Sequence, residues 1–514
     1  MTKLKAGLAA SAILMSFGAT QSAHAQYAYG GGATFPSIVY RQLLDCLYTP
    51  ADGAQGGPAG PMAMSPACPF PNGQGIGYAA HILYAPVGSG AGKRALINND
   101  ASNTSTGLGT PAAANTVPYT HSGAGGSYPY PFITFAGSDD VWTSADQTNW
   151  VNKGNLATFG RVVQIPMLAG PVAVAFNGKD GNGNNLNINP GNYNPPGASS
   201  QLNLSRQAVC GIFSGHITKW DNPILTALNG GTPLGTGNIT VVHRSDGSGT
   251  TFIMTNGLAT QCQFAFGPNN ESDATLVSYA FPWTDRTVSA SQCSTTLLQP
   301  RGANAHNWPD LVTNQCGVAI SNPGGGLFAA GSGNAGVVAA VQATNGAVGY
   351  ATADFIQPVA PSGPAAANIE SQWDIANGTG EFQAATVAGT QQAMASAVPV
   401  FDDTTRTNAL AWSLQGVSPN PALAGSYPFA GFTWLDMYQC YENNPFNDGK
   451  TLVNIFLNYL HGAPDAQAIV EANGFSTVPY NWLQEIYALF ASDDAPTYVG
   501  TGGCTGVSPG ARNG

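Results

Sequence analysis

Three glycine-rich loops, each running into a helical pattern, are the parts of this sequence best suited to chemistry. They cover residues 30–36, 87–93 and 244–251. A helix N-terminus leaves N–H groups unpaired and carries a partial positive charge, while glycine admits a ligand close to the backbone and serine or threonine adds a hydroxyl donor. One such loop alone is more often a simple helix cap. Three in one chain, one of them carrying Arg244, predict a shared oxyanion site.

Other motifs that these residues resemble fail at a defining position. Residues 87–93 lack the first glycine of a Walker A loop, and Arg94 stands where that motif needs serine or threonine. Asp246 replaces the first glycine of a G-x-S-x-G turn. The run from Asp180 lacks the glycine and the glutamate of a calcium loop, so we expect a flexible loop there. The seven histidines show no metal-binding spacing, and we expect neither a metal nor a cofactor.

Short strand-like runs followed by helix-like runs must position these loops. Residues 239–243 predict a strand directly before the third loop. Residues 451–462 place four large apolar side chains at helical spacing, and Gly462 is a suitable end for that helix. This alternation predicts the α/β class.

The composition indicates a folded protein that does not bind polyanions. Of 514 residues, 43% are hydrophobic and 10% are aromatic, which is enough for a core. The net charge is −11. Binding to nucleic acid or to an anionic membrane surface needs clustered positive charge, so we expect neither. Long loops of glycine, proline or small polar residues cover 51–77, 101–130 and 178–200.

The first 25 residues are typical of a secretory signal peptide. Lys3 and Lys5 precede a mostly apolar stretch over 6–17, and residues 23–25 (Ala-His-Ala) match the cleavage pattern. We therefore expect cleavage after Ala25 and a periplasmic or secreted protein. No other stretch of the sequence is long and apolar enough for a transmembrane segment.

Eight cysteines are consistent with export. Secreted chains with an even number of cysteines usually form structural disulfides. No C-x-x-C pair is present, which argues against zinc ribbons and thioredoxin-like redox sites. The sequence by itself leaves the pairing open.

Several longer segments, taken together and in order, resemble a known family. They are GGGATFPSIVY (30–40), VGSGAGK (87–93), FAGSDD (135–140), IPMLAGPVAVAFN (165–177), VCGIFSGHITKWD (209–221), ITVVHRSDGSGTTF (239–252), NGAVGYATADF (345–355), SYPFAGFTWLDMYQCY (426–441) and GFSTVPYNWLQEIYALF (474–490). The chain resembles the periplasmic phosphate-binding proteins of high-affinity phosphate ABC transporters, and especially their secreted DING-type relatives. The Asp-Ile-Asn-Gly start of the latter is absent, because residues 27–30 read Tyr-Ala-Tyr-Gly.

The resemblance implies an α/β fold of the two-domain clamshell kind, the type II solute-binding fold, with a hinge of two crossing segments. Residues 26–164 and 353–514 would form domain I, and residues 165–352 would form domain II. The crossings would lie in 165–177 and 346–355.

The resemblance also implies the ligands of one buried phosphate. They are Thr34, Phe35, Ser89, Asp139, Arg244, Ser248, Gly249 and Thr250, with Asp246 bracing Arg244. Arg244 would offer a planar fork of donors. Asp139 would discriminate against sulfate, because phosphate near neutral pH carries a proton to donate to a carboxylate and sulfate has none. The alternatives are a helix N-cap or a surface pair for Asp139 and a surface salt bridge for Arg244.

Two disulfides follow from the resemblance, Cys210–Cys262 and Cys440–Cys504. Sequence proximity alone suggests Cys46–Cys68 and Cys293–Cys316. The three long loops look longer than the family needs, which leaves the oligomeric state and protein partners open.

The function expected from the resemblance is capture of inorganic phosphate without catalysis. The protein would hand phosphate to an inner-membrane ABC transporter permease or scavenge it outside the cell. One alternative is a secreted phosphatase or phosphodiesterase with the same pocket, which would need a nucleophile with a base or a metal. Another is a surface or adhesive protein built on this fold, which the low charge and the long loops allow.

Overall fold

The computed structural model describes most of the chain after the predicted signal peptide. The described residues are 26–47, 67–68, 80–100, 133–262, 306–308, 327–360, 362–416, 418–441 and 459–490. The signal peptide, nearly all of loop 51–77 and the whole of loop 101–130 lie outside them. Among the described residues, none of the helices combines the length and apolar character that a bilayer crossing requires.

The elements alternate along the chain. In order they are β1 (Gln26–Gly32), α1 (Ser37–Leu47), β2 (Ala80–Pro86), α2 (Ser89–Asn98), β3 (Phe135–Ser138), α3 (Ser144–Asn152), α4 (Asn155–Phe159), β4 (Val162–Phe176), β5 (Asn203–Leu204), α5 (Arg206–Phe213), α6 (Pro223–Leu228), β6 (Thr240–Arg244), α7 (Gly249–Gln261), β7 (Leu327–Gly331), α8 (Gly333–Ala343), β8 (Ala347–Thr352), a 3-10 turn (Ala353–Phe355), β9 (Ala365–Ala366), β10 (Asn368–Ile369), α9 (Gln372–Asn377), α10 (Val387–Ala395), α11 (Asp403–Arg406), α12 (Ala409–Gln415), β11 (Ala430–Tyr438), α13 (Pro464–Ala472), β12 (Ser476–Thr477) and α14 (Tyr480–Phe490).

One ten-stranded sheet organises these elements. Its order is β2-β1-β3-β11-β4-β8-β6-β7, and β12 and β9 also pair with β4. β1 is parallel to β2 and β3, and β6 is parallel to β7 and β8. β11 is antiparallel to both β3 and β4. The mixed sheet with its helices confirms the predicted α/β class.

Strand β4 is shared by both halves of the sheet. Residues 162–171 pair with β11, and residues 172–176 pair with β8. Every residue of β4 is buried, as expected for an apolar run covered on both faces. The segment 165–177, predicted to cross between domains, lies almost entirely in this strand.

The chain stays beside the second half of the sheet for some distance after β8. β9 pairs with the end of β4, and β10 pairs with β5, before β11 joins the first half. The domain limits at 164/165 and 352/353 remain a prediction.

Loop 178–200 is an ordered structure around Asp180, in contrast to the expected flexible loop. The Asp180 carboxylate accepts hydrogen bonds from the N–H groups of Asn182, Asn184 and Thr236 at 2.9–3.0 Å. These hydrogen bonds, led by the one from Thr236, lower the pKa of Asp180 to about 2. The carboxylate therefore serves as the acceptor that closes the turn.

Two of the predicted sequence elements can be compared with the fold. The strand predicted over 239–243 is β6, displaced by one residue because Arg244 still pairs with Gly331. The first part of the helix predicted over 451–462 lies outside the described residues, and its last residues, 459–462, are helical.

Two predicted disulfides are confirmed. Cys46 is bonded to Cys68, and Cys210 at α5 is bonded to Cys262 at the end of α7. Cys440 is also disulfide-bonded. Its predicted partner Cys504 lies outside the described residues, and so does the proposed Cys293–Cys316 pair.

The Cys210–Cys262 bond spans a sequence separation of 52 residues, so it restricts the unfolded chain strongly. We expect the double variant Cys210→Ala/Cys262→Ala to lose about 2–5 kcal/mol of unfolding free energy. Chemical denaturation of the parent and the variant measures this loss. An unchanged denaturation midpoint would show that the bond contributes nothing to stability.

Candidate functional site

The carboxyl ends of parallel strands gather the predicted site residues at one place. β1, β2 and β3 end at the loops that carry Thr34, Ser89 and Asp139. β6 and β7 end at the loops 244–249 and 331–334. Ligands of open α/β sheets bind at such ends, where helix N-termini also point. The three glycine-rich loops do converge, as the sequence predicts.

The hydroxyl oxygen of Ser89 joins the loops from both halves of the sheet. It accepts hydrogen bonds from the N–H groups of Asp139 and Gly249, each at 3.1 Å. The Ser89 hydroxyl donates to Asp139 Oδ2, with 3.5 Å between the two oxygens. Ser89 opens α2, and Gly249 opens α7, so two helix N-termini face each other across this oxygen.

Glycine is required where the two halves meet. A Cβ atom at Gly249 would lie 2.3 Å from Asp139 Cβ, and one at Gly88 would lie 2.7 Å from the carbonyl oxygen of Gly247. Gly88 also has a φ of 95°, which disfavours any side chain. The glycines of the second and third loops therefore allow these loops to touch.

Arg244 is held as a buried cation by Asp246. Its Nε donates to Asp246 Oδ1 at 2.8 Å, and its Nη2 bonds the other carboxylate oxygen. Its Nη1 lies 3.4 Å from Thr250 Oγ1. Arg244 is buried, with only 2% of the residue exposed. Burial acts to raise the pKa of Asp246, but Arg244 outweighs it and holds that pKa below its usual value. The pair fixes the plane of the guanidinium, as bidentate pairs do.

Asp139 is a buried carboxyl, with only 1% of its surface exposed. Burial raises the pKa of Asp139 well above its usual value, although the Thr433 hydroxyl and the charge of Arg244 both oppose this. The Thr433 hydroxyl lies close enough to this carboxyl to affect its pKa, although Oδ1 makes no hydrogen bond of good geometry with the described residues. Asp139 thus adds a buried acceptor beside the donors of the loops.

Lys93, part of the rejected Walker-like run, has a structural role. Its Nζ lies 2.9 Å from carboxylate oxygens of both Asp140 and Asp146, and 3.0 Å from the Val141 carbonyl oxygen. Burial would lower the pKa of Lys93, but the two carboxylates outweigh burial and raise it. These contacts anchor the turn that carries Asp139.

A short segment, residues 306–308, lies against the site and was not predicted from the sequence. The N–H of Ser248 donates to the His306 carbonyl oxygen at 2.7 Å, and His306 Nδ1 lies 3.6 Å from Asp140 Oδ2. Trp308 stacks on His243 and Tyr350. The segment therefore contacts loops from both halves of the sheet.

The remaining predicted residues also lie here. Ser248 caps α7 by accepting from the Thr251 N–H, and the Phe35 ring packs edge-on against Phe475. Asn334 was missed. Its Nδ2 lies 3.3 Å from Thr34 Oγ1 and 3.4 Å from Thr250 Oγ1. The signal for it was a fourth glycine-rich loop, Gly-Ser-Gly-Asn over 331–334, which follows a strand and precedes a helix as the other three do.

Comparison with known proteins identifies the family. The family model described as the PBP superfamily domain matches residues 74–463. The chain belongs to the PBP superfamily. Alkaline phosphatase L of Pseudomonas aeruginosa is 26% identical to this PBP chain over 476 residues, which cover 93% of this chain and 91% of that protein. A protein named phosphate-binding protein, from an unknown prokaryotic organism, is 25% identical over 451 residues, covering 82% and 92%.

Solved structures confirm the predicted clamshell fold of this PBP chain. A periplasmic phosphate-binding protein called PfluDING, solved with phosphate, superposes with a TM-score of 0.55 at 23% identity. The match covers 94% of this chain and 99% of that one. The family model, the sequence relatives and this structure together confirm the predicted kinship with phosphate-binding proteins of the DING type. The individual ligands remain a prediction, since none of these matches assigns residues in this chain.

Replacing Lys93 tests its role beneath the site. We expect Lys93→Met to lose about 3–5 kcal/mol of unfolding free energy at pH 7, because it leaves the buried Asp140 and the partly buried Asp146 without their cation. Lys93 holds the pKa of Asp146 in the folded protein below 3.8. The stability that this ion pair contributes is therefore present above pH 3.8 and is lost as the pH falls through the lower pKa of the folded protein. The loss should therefore shrink in acid.

The measurement is chemical denaturation at pH 7 and at pH 2.5, below the ordinary Asp146 pKa of 3.8, with Lys153→Met as the control. Lys153 is exposed at the end of α3, so its replacement should leave the midpoint almost unchanged. Equal losses for Lys93→Met at both pH values would contradict the ion-pair explanation.

Proposed function

We propose that this protein captures inorganic phosphate, without catalysis, at the meeting point of its four glycine-rich loops. The ligands would be the predicted set: Thr34, Phe35, Ser89, Asp139, Arg244, Ser248, Gly249 and Thr250. The names of its relatives support phosphate as the ligand. One observation carries the proposal. The buried Arg244, which is braced by Asp246, and the buried carboxyl of Asp139 both lie where the donor loops meet.

The donors suit a tetrahedral oxyanion. Arg244 would supply a fork, and the predicted N–H groups and hydroxyls would supply single hydrogen bonds. For Gly249 and Ser89 the ligand would have to replace the hydrogen bonds that they donate to Ser89 and Asp139 in the structure. Charge-assisted hydrogen bonds contribute about 1.5–3 kcal/mol each. Several of them exceed the lower estimates of the cost of association, so a dissociation constant of about 1 μM or less is expected.

The acceptor suits an oxyanion that carries a proton. An ionised Asp139 can accept the proton of a hydrogen phosphate, whereas it would face sulfate as an unpaired like charge. The burial of Asp139 supports this role, because a buried carboxylate is stabilised by each hydrogen-bond donor that a ligand brings to it.

Export completes the proposal. We propose that residues 1–25 are removed as a signal peptide and that the protein works in the periplasm or outside the cell. Delivery to an inner-membrane phosphate ABC permease and extracellular scavenging use the same site. The predicted partners therefore remain inorganic phosphate and, for uptake, that permease.

Phosphomonoester hydrolysis is the second candidate, favoured by the name of the Pseudomonas aeruginosa relative. The Ser89 oxygen already accepts two N–H groups, and the Ser248 oxygen caps a helix, so neither is set up as an activated nucleophile. Release of phosphate from a generic phosphomonoester by pure protein, abolished in Arg244→Ala, would support hydrolysis instead of capture.

Arg244→Ala tests the proposed capture directly. We expect it to weaken phosphate binding by about 2–5 kcal/mol, because it removes the buried cation and leaves Asp246 unpaired. Isothermal titration of protein stripped of bound anion measures this loss. Arg161→Ala, at an exposed arginine before β4, is the matched control and should bind like the parent. Unchanged affinity in Arg244→Ala would place the site elsewhere, and a folded parent without phosphate binding would refute the proposal.

Asp139→Asn tests selectivity. An amide can donate to sulfate, so the variant should accept sulfate while losing less affinity for phosphate. In the parent, selectivity should rise with pH, because Asp139 rejects sulfate only when ionised and burial moves its pKa upwards. In the variant this pH dependence should disappear. Titrations with both anions between pH 5 and pH 8 decide, and parallel pH profiles for parent and variant would contradict the assigned role.

A further inference from the structure

Asn334 occupies the centre of the site without belonging to the predicted ligand set. It is the second residue of α8, it is 1% exposed, and its amide lies between a hydroxyl from the β1–α1 loop and a hydroxyl from α7. The preceding residue, Gly333, donates its N–H to Asp246 Oδ1 at 2.9 Å. The start of α8 is thus tied to the same carboxylate that braces Arg244.

The hydroxyl oxygens of Thr34 and Thr250 both accept hydrogen bonds in this cluster. Thr34 Oγ1 accepts from Asn334 Nδ2, and Thr250 Oγ1 accepts from both Asn334 Nδ2 and Arg244 Nη1. A hydroxyl has a single hydrogen, and an oxygen that accepts from a fixed donor must turn that hydrogen away from it. Among the described residues, neither hydroxyl has a hydrogen-bond acceptor for its own hydrogen.

We propose that Asn334 is a positioning residue that aims the hydroxyl hydrogens of Thr34 and Thr250 at the oxygens of a bound tetrahedral oxyanion. The inference rests on the proposed function, because the anion supplies the two missing acceptors. One amide fixes two hydroxyl rotors from opposite halves of the sheet before the ligand arrives. Ordering them beforehand lowers the cost of binding.

The buried amide of Asn334 uses only its donor side. Its Oδ1 has no hydrogen-bond partner in the described structure, so the amide satisfies only its donor side. A side chain placed merely to complete a hydrogen-bond network would use both ends. This one-sided arrangement is consistent with selection of a donor facing two hydroxyl oxygens.

The test is a thermodynamic cycle measured by isothermal titration with inorganic phosphate. Asn334→Ala should weaken binding about 10-fold, the effect of misdirecting two neutral hydrogen bonds. The same change in a Thr34→Val/Thr250→Val background should weaken it less than about 2-fold, because no hydroxyl is left to aim. Asn345→Ala, at an exposed asparagine just after α8, is the matched control and should bind like the parent.

Each other outcome has a defined meaning. Equal weakening in both backgrounds would overturn the inference and assign Asn334 a general packing role, and so would unchanged affinity in Asn334→Ala. Asn334→Ser, whose short side chain cannot reach both hydroxyls, gives the same comparison if the alanine variant does not fold. A folded parent that fails to bind phosphate would instead refute the proposed function itself, so the two failures are distinguishable.

Discussion

The hydroxyl oxygen of Ser89 is the contact on which the arrangement of the site depends. It accepts one N–H from the turn after β3 and one from the first residue of α7, and so it holds the two halves of the sheet in contact. This contact is possible only because residue 249 is glycine, since a Cβ there would overlap Asp139. The placement of Asp139, the start of α7 and the Arg244 loop all follow from this close approach.

Buried charges around this contact are neutralised locally. Lys93 offsets Asp140 and Asp146, and Arg244 is paired with Asp246. In pairs of this kind, the attraction between the two charges offsets part of the free-energy cost of removing them from water. They also explain how a chain with a net charge of −11 can offer an anion site, because distant surface charges are screened over about 8 Å at physiological salt.

Much of this site could be predicted from the sequence because its main signals are local. A strand, a glycine-rich turn and a helix start are readable within about ten residues, which is how the loops around Ser89 and Arg244 were found. Asn334 was missed although its loop has the same form, because its significance depends on two hydroxyls that are 300 and 84 residues away in the sequence. Lys93 was missed as an ion-pair centre for the same reason. Asp180 was misjudged because the N–H of Thr236, far along the chain, completes its turn.

The carboxyl groups of the site carry a cost that a protonated anion can offset. Burial raises the pKa of Asp436, beneath the site on β11, to about 7 and that of Asp139 well above its usual range. A carboxyl with a raised folded pKa favours the folded state only while protonated, so stability decreases as the pH rises from 3.8 towards the folded value. Ionising Asp139 in its buried position therefore lowers the stability of the folded protein. Under the proposed function, a hydrogen phosphate that donates its proton to Asp139 would offset this cost and sulfate would not, so the cost of burying Asp139 and the proposed selectivity would have one physical origin.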